Sequence, residues 1–413
     1  MSIRWTRLPW PALLCAGLLA GAAGCGTSGT TGTPMKGQPA QKGKTAQSAN
    51  SMKGRTGTPK TKGTSGTDSA IGGLAGDVGL ARRLHVVGFA VNARHASFEA
   101  VSTVPHLVSE VAPFWYSVQT TGAIKIMKTP QTEAWAHKNG VPLMPLFNNV
   151  GAKSGVLIDP AARQRAVSNI VAIVKKDNYD GASIDFQGLK ATPGVRAGLV
   201  RFTSSLASQL HAAGKRVTIN IIPTAQATAQ SGAYNETALA KSADQIILMA
   251  YDRHSTGSPP GPVAPMPWVK AAVTTAISRG VKPSQLLLGV ANYGYDWPQG
   301  STKADTVSYA QVQAMHVKPI WDAASGEYHF TYTKNGTTHQ VWYEGTRSLA
   351  EKANLAKSSK LSGIAIWRLG YDNAKYWSAL AKIVGTNVPK GGTVQGRPMR
   401  GGSGTGKATG THG

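Results

Sequence analysis

Hydrophobic residues concentrate in eight short segments between residues 84 and 369. Each segment is apolar at consecutive positions, which is typical of strands buried on both faces of a parallel sheet. Helical patterns separate most of these segments, for example at residues 159–177, 195–213 and 268–279. The predicted strands cover residues 84–91, 111–117, 141–147, 179–186, 216–222, 245–251, 286–292 and 363–369.

Eight strands alternating with helices predict the α/β fold known as the (β/α)8 or TIM barrel. An open doubly wound sheet would be expected to carry a glycine-rich turn after its first strand, and the sequence has none there. Residues 326–343 form two alternating runs around Asn335-Gly336, which predicts an antiparallel hairpin. We therefore expect a small α+β insertion between barrel strands seven and eight.

The segments that flank the barrel differ from it in composition. Residues 26–80 consist mostly of Gly, Thr, Ser, Lys and Pro, with too few large apolar side chains to form a core. Residues 389–413 have the same character. The sequence therefore predicts a disordered linker at 26–80, a folded barrel domain at 81–388 and a disordered basic tail at 389–413.

Residues 1–25 have the basic start and short apolar middle of an export signal. They end in Ala-Ala-Gly-Cys, which resembles a bacterial lipoprotein cleavage box. The only other cysteine, Cys15, would be removed with the signal, leaving Cys25 alone at the new N-terminus. We expect lipidation of Cys25 and membrane attachment through it; the alternative is an ordinary secretory signal with a leftover thiol.

The chain is strongly basic, with 44 Lys and Arg against 19 Asp and Glu and a formal charge of +25. Residues 26–80 carry a net +5 and residues 389–413 a net +4. These two segments lack the interleaved aromatic residues of a single-strand stacking platform, so we expect no specific nucleic-acid partner. The charge favours loose attraction to anionic wall polymer or phospholipid.

Metal and cofactor sites are not predicted. His85, His254 and His329 are scattered, and no cluster of His, Cys and carboxylate residues has metal-ligand spacing.

The candidate site lies in the sequence DGASIDFQ, residues 180–187. The spacing of two places Ser183, Asp185 and Gln187 on one side of the fourth strand, directed toward the mouth of the barrel. Active sites of such barrels lie at the carboxyl ends of the strands. The alternative interpretation is structural: Asp185 caps a helix or pairs with an interior basic residue.

This octapeptide resembles the strand-four signature of glycoside hydrolase family 18, in which Asp-Gly precedes alternating Asp, Asp and Glu. Asp180, Gly181 and Asp185 fit the signature. Ser183 replaces the first of the alternating acids, and Gln187 replaces the glutamate that acts as the general acid.

Three further segments extend the resemblance over roughly residues 84–386. Residues 249–269 and 363–377 are similar to the sixth and last strands of the spore-cortex-lytic N-acetylglucosaminidases within that family. Residues 112–117 are similar to their second strand.

The resemblance implies a retaining mechanism in which the 2-acetamido oxygen of the substrate attacks the anomeric carbon. Asp185 would orient that acetamido group, with Tyr251 contacting the same sugar and Trp367 under its ring. The alternative roles are structural: Trp367 would be a core residue, and Tyr251 would close the barrel. The resemblance implies these substrate-binding residues: Asp252, Trp367, Trp115, Tyr116 and Asp180.

Gln187 decides between the functional interpretations, because an amide has no titrating proton to give to a leaving group. We therefore expect a barrel that binds a polysaccharide containing N-acetylglucosamine, with hydrolysis weak or lost. The second hypothesis is an active N-acetylglucosaminidase with a substitute acid from Asp252, Asp296 or Glu344. The third is a purely structural envelope protein without a sugar site.

Overall fold

The computed structural model describes residues 84–91, 105–150, 153–224 and 231–385. The predicted signal, linker and tail lie outside the described residues, and so does the lipidation site at Cys25. Within the described ranges, none of the helices combines the length and apolar character needed to span a bilayer.

The described residues form fourteen strands and nine α-helices. The strands are β1 (His85–Ala90), β2 (Glu110–Val118), β3 (Ile124–Ile126), β4 (Leu146–Asn148), β5 (Gly181–Asp185), β6 (Arg216–Ile221), β7 (Gln245–Leu248), β8 (Leu286–Ala291), β9 (Tyr293–Pro298), β10 (Asp305–Ser308), β11 (Ile320–Asp322), β12 (Glu327–Lys334), β13 (Thr337–Tyr343) and β14 (Gly363–Trp367). The helices are α1 (Pro130–Asn139), α2 (Gly155–Ile158), α3 (Pro160–Lys176), α4 (Pro193–His211), α5 (Glu236–Leu239), α6 (Met266–Ser278), α7 (Tyr309–Ala314), α8 (Thr346–Ser358) and α9 (Ala374–Val384).

Eight strands close into a parallel barrel in the order β1-β14-β8-β7-β6-β5-β4-β2, and β1 also pairs with β2 to complete the ring. Helices follow most of these strands and cover the outside of the barrel. The predicted (β/α)8 fold is therefore confirmed. The short strand β3 lies outside the ring and pairs antiparallel with β2.

The predicted helices begin at capping residues that the sequence displays. Asp159 accepts a hydrogen bond from the Ala161 N–H and Pro160 occupies the first turn of α3. Thr192 and Pro193 begin α4 in the same way. The observed bounds differ from the predicted ones by about two residues, which is the usual uncertainty of helix ends.

The third barrel strand, β4, is shorter than predicted. Residues 141–147 are apolar, but only Leu146–Asn148 form a ladder, and Leu143 makes an isolated bridge to Val111. Pro142 and Pro145 lack the N–H that a strand residue donates, so the ladder is interrupted where they lie.

Alternation along the strands separates two apolar layers. The larger layer lies between strands and helices and includes Ala182, Ile184 and Phe186 of the fourth barrel strand and its end. The smaller layer fills the barrel interior and consists of Val87, Phe89, Ala112, Leu146, Ile247, Leu287 and Ala365, with Phe114 and Trp367 packed against it. Ser183 and Asp185 share the register of Leu146 and Asn148, so they face this interior.

The insertion between β8 and β14 is a five-stranded antiparallel sheet with the order β10-β9-β13-β12-β11, together with α7. Its central hairpin turns at Asn335 and Gly336, whose φ angles of 51° and 77° are those of a type I′ turn. The hairpin and its position are confirmed, and the insertion is larger than the single hairpin that the sequence indicated.

A buried group of three charged residues joins the insertion to the barrel. Lys352 of α8 is fully buried and forms an ion pair with Glu344, which also accepts the Ala291 N–H at the end of β8. Glu327 of β12 accepts two backbone N–H groups from the loop after β7. Burial lowers the pKa of Lys352, and the nearby Glu327 opposes that shift.

Candidate functional site

Strand β5 positions the first two residues of the candidate site. Ser183 is buried, and its hydroxyl oxygen accepts a hydrogen bond of 3.0 Å from the Asn220 side chain of the neighbouring strand β6. Asp185 follows on the same face, nearer to the carboxyl end of the barrel. A serine supplies no charge here, so Asp185 has no neighbouring carboxyl at position 183 with which to share a proton.

Asp185 and Gln187 contact each other directly. The Gln187 Nε2 atom lies 2.8 Å from Asp185 Oδ1 and 3.0 Å from Oδ2. Burial raises the pKa of Asp185 to about 6, although the hydrogen bond from Gln187 partly opposes this. The helix-capping and ion-pair alternatives for Asp185 are not observed among the described residues, where its side-chain hydrogen bonds come from Gln187.

The orientation of the Gln187 amide follows from this contact. Its nitrogen faces the carboxylate and lies 3.6 Å from the Met249 sulfur, because an amide oxygen placed there would repel the Asp185 oxygens. Within the described part of the chain, Gln187 Oε1 has no hydrogen-bond partner. The acid position thus carries an amide whose donor group is already used by Asp185.

Asn149 holds the backbone of Gln187 from both sides. Its Nδ2 donates to the Gln187 carbonyl oxygen and its Oδ1 accepts from the Gln187 N–H, both at 2.8 Å. These bonds replace the strand ladder just beyond the end of β5. Sequence reasoning missed this residue, and the signal was available: two asparagines, Asn148 and Asn149, directly follow an apolar strand.

Tyr251 and Asp252 follow β7 at the same end of the barrel. Asp252 has a left-handed backbone, with φ 61°, and its Oδ1 accepts hydrogen bonds from Tyr293 at 2.6 Å and Tyr295 at 2.8 Å. The rings of Tyr251 and Tyr293 are 6.4 Å apart in an edge-to-face arrangement. The two tyrosines of β9, which the sequence did not single out, fix the Asp252 carboxylate.

Trp367 lies at the end of β14 and packs on the interior layer. Its ring meets Phe89 edge-to-face at 5.3 Å, and the residue is only partly buried. Trp367 thus lies at the carboxyl end of the barrel, and its contact with Phe89 places part of the ring in the core.

Trp115 and Tyr116 do not face the barrel mouth. A β-bulge between Phe114 and Tyr116 shifts the register, so Tyr116 pairs with Phe147 of the outer layer. Trp115 is fully buried there as well and donates a hydrogen bond to Thr129. Phe114 takes the interior position on this strand, which corrects the expectation that Trp115 and Tyr116 contact substrate.

Residues 116–372 match the family Glycosyl hydrolases family 18. The chain belongs to this family.

Proteins similar to this family 18 barrel include a cortical fragment-lytic enzyme and a chitinase. The chain is 32% identical over 225 residues to the putative sporulation-specific glycosylase YdhD of Bacillus subtilis, covering 52% of each chain. It is 27% identical over 263 residues to the cortical fragment-lytic enzyme of Bacillus anthracis, covering 59% of this chain and 60% of the relative. The crystal structure of a chitinase from Chromobacterium violaceum superposes with a TM-score of 0.69 at 23% identity, covering 74% of this chain and all of that one. The chain thus matches only about half to two thirds of the length of the two curated relatives.

The first and last residues of the family 18 signature, Asp180 and Gln187, lie at opposite ends of β5. Asp180 precedes β5 at the opposite end of the barrel from Gln187, where its Oδ2 accepts the Leu143 N–H at 2.8 Å. At Gly181, a Cβ atom would lie 2.0 Å from the Arg216 carbonyl oxygen of β6. Asp180 is therefore a structural residue, which corrects the expectation that it binds substrate.

The three candidate substitute acids occupy different places. Asp296 lies within the insertion sheet and contacts Tyr332 and His339. Glu344 is buried and paired with Lys352. Asp252 is near Tyr251, because both contact Tyr293. Asp252 accepts a hydrogen bond from the Tyr293 hydroxyl, and the Tyr251 ring packs against the Tyr293 ring.

Metal-ligating side chains do not gather at the site. Across the residues that the structure describes, there is no group of three or more His, Cys, Asp or Glu residues that could hold an ion.

Proposed function

We propose that this protein is an envelope-associated barrel that binds glycan containing N-acetylglucosamine, with hydrolysis weak or lost. Peptidoglycan, spore cortex and chitin are the candidate glycans. The proposed site is the mouth of the barrel, where Asp185 and Tyr251 would contact the sugar and Trp367 would lie under it, with Phe114 as a further interior ring.

The observation that carries this proposal is the amide at position 187. Gln187 donates its Nε2 hydrogen bond to Asp185 and has no proton that it can transfer to a glycosidic oxygen. General acid catalysis contributes roughly 10²- to 10⁴-fold to such reactions. Without that contribution, the remaining groups support binding better than bond cleavage.

The choice of glycan rests on the relatives. A cortical fragment-lytic enzyme is among the sequence relatives and a chitinase is among the structures that share the fold, which supports cortex and chitin as the candidate glycans. Asp185, with its raised pKa of about 6, is ionised at neutral pH and offers two acceptor oxygens to a substrate N–H or O–H group.

The test compares wild type with Gln187→Glu for release of reducing ends from cortex peptidoglycan and from chitooligosaccharides. Binding of the same ligands is measured by calorimetry. We expect the wild type to bind without detectable release, and the glutamate variant to gain at least a 10²-fold higher rate, because it regains a transferable proton.

Gln164→Glu is the matched control, since it makes the same chemical change on the exposed face of α3. It should leave release and binding unchanged. Hydrolysis by wild type would instead support the enzyme hypothesis, and its loss in Asp252→Asn would assign the proton donor to Asp252. Absence of glycan binding in wild type and both variants would leave the structural-protein hypothesis.

We also propose export and attachment through a lipid on Cys25, based on the composition of residues 1–25. A tether of the length of residues 26–80 would hold the barrel away from the membrane surface and within reach of the glycan mesh.

A further inference from the structure

Arg368 directly follows the proposed sugar floor, Trp367, and its backbone is held rigidly. Asn292 accepts from the Arg368 N–H and donates to the Arg368 carbonyl oxygen, both at 2.9 Å. The next residue, Leu369, donates its N–H to Phe89 of the neighbouring strand β1. Arg368 therefore projects from a fixed position at the carboxyl end of the barrel.

The guanidinium of Arg368 is nearly buried and lacks an anionic partner. Arg368 is 7% exposed, and its Cζ atom lies 4.1 Å from the centre of the Tyr371 ring. In the described part of the chain, its side chain makes neither a hydrogen bond nor an ion pair. Burying an unpaired charge is costly, and stacking on an aromatic ring offsets only part of that cost.

The guanidinium nitrogens remain accessible despite this burial. None of them is among the buried side-chain atoms that are sealed from solvent without a partner. A small opening thus leads to N–H donors that no described residue uses. A planar guanidinium in this state matches the two oxygens of a carboxylate.

Other buried or ring-stacked cationic side chains in the described residues differ from Arg368 in having a carboxylate partner. Lys352 pairs with Glu344, Lys128 with Glu133 and Asp177, and Arg347 with Glu351. Arg347 also stacks on Trp321, with Cζ 4.0 Å from the ring centre, yet it is paired with Glu351. Arg368 stacks on the Tyr371 ring, but no described carboxylate pairs with it.

Arg368 lies close to the proposed sugar site. The Tyr371 ring beneath it is 6.1 Å from the ring of Tyr293. Tyr293 in turn donates to Asp252 and packs against Tyr251. These contacts join Arg368 to the residues proposed to contact the glycan.

We propose that Arg368 binds a carboxylate carried by the glycan, so that the site selects peptidoglycan containing N-acetylmuramic acid over uncharged chitin. This inference rests on the proposed function, because it assumes that the barrel mouth binds a glycan. The carboxylate has two sources in peptidoglycan: the lactyl group of a peptide-free muramic acid, or the acidic residues of a stem peptide.

The test measures affinity for four tetrasaccharides: chitotetraose, a peptide-free N-acetylglucosamine–N-acetylmuramic acid tetramer, the same tetramer with its carboxyls reduced to alcohols, and a peptide-bearing tetramer. We expect at least one carboxylate-bearing ligand to bind wild type tenfold or more tightly than chitotetraose. If the lactyl group is the ligand, the peptide-free acid binds tightest; if the stem is the ligand, the peptide-bearing glycan does.

Arg368→Met should abolish this preference while leaving chitotetraose affinity unchanged, and Arg368→Lys should restore it only partly, because an ammonium lacks the planar pair of donors. Arg347→Met is the matched control, as another arginine stacked on an aromatic ring, and should keep the preference. Equal affinity of wild type for all four ligands would overturn the inference and leave the proposed function intact. If Arg368→Met fails to fold, a lactyl contact can still be tested on wild type alone. The affinities of the reduced and unreduced tetramers are then compared.

An equal loss of affinity for chitotetraose and for the acidic glycans in Arg368→Met would also overturn the inference, since it would show a structural role. Failure of wild type to bind any of the four ligands would instead refute the proposed function itself.

Discussion

Asp185 is an ionisable residue whose environment opposes its charge. It is 6% exposed, and burial is the main cause that raises its pKa from 3.8 to about 6. A carboxyl whose folded-state pKa is raised destabilises the folded state when it ionises. This cost is absent below about pH 4 and fully present above about pH 6, in accordance with that shift.

Asp185→Asn should therefore stabilise the folded protein at pH 7.5 by up to about 3 kcal/mol, because a shift of roughly two pKa units corresponds to that energy. The gain should be nearly lost near pH 4, where the aspartate is neutral in the folded state and about half ionised in the unfolded state. Urea denaturation at the two pH values checks this, alongside loss of glycan affinity at pH 7.5. A variant that is no more stable than wild type at pH 7.5 would contradict the assigned cost of the charge.

Alternation predicted the interior side of β5 correctly, since Ser183 and Asp185 face the interior while Ala182 and Ile184 face the helices. The expectation for Trp115 and Tyr116 came from the family resemblance instead, and the bulge after Phe114 places both residues in the outer layer. Asn149 was missed because its two hydrogen bonds reach the backbone of Gln187, which is 38 residues away in the sequence.

The insertion is held to the barrel by the buried group of Lys352, Glu327 and Glu344. Glu344 and Glu327 each bind backbone N–H groups of the barrel, and Lys352 supplies the positive charge between them. Removing one partner of a buried pair leaves an uncompensated charge, which costs more than the pair itself contributes.

Lys352→Met should therefore lower the free energy of unfolding by about 3–5 kcal/mol. The double variant Lys352→Met/Glu344→Gln should recover part of the loss, because it removes a carboxylate that has lost its partner. Chemical denaturation and limited proteolysis of the insertion provide the measurement, with Lys357→Met on the exposed face of the same helix as the control. A Lys352→Met protein as stable as the control would show that the buried charges do not hold the insertion.

At the element scale, the eight barrel strands were predictable because each is an apolar run between helical patterns. The full insertion was not. Only Asn292 separates β8 from β9, so no turn or break marks the boundary between the barrel strand and the first strand of the insertion. Strands β10 and β11 contain four and three residues, and only one of these seven residues is buried, which leaves little apolar pattern to detect.

At the scale of the whole molecule, two kinds of retention are expected to act together. Cys25 would anchor the chain through lipid, and the basic segments at 26–80 and 389–413 would add a weaker attraction to anionic polymers. Sequence composition is the basis for both expectations, since these segments lie outside the described residues.

Cys25→Ala should move the protein from the detergent-extracted membrane fraction to the wall-associated and soluble fractions. The wall-associated share should then be released as salt rises from about 0.05 to 0.5 M, because screening shortens the range of the charges. Fractionation with immunodetection measures both effects. Unchanged membrane association of Cys25→Ala would rule out the lipid anchor, and salt-resistant wall binding would indicate that the glycan site alone retains the protein.

The hydrogen bonds between Asn149 and the backbone of residue 187 affect which mutations this position tolerates. Because Asn149 fixes the main chain at that point, the side chain there can change without moving the scaffold. Glutamine and glutamate codons differ at a single base, so exchange between them is among the most accessible mutations. Under the proposed function, the exchange of amide and carboxyl at position 187 would alter the chemistry of the site and leave the backbone around it in place.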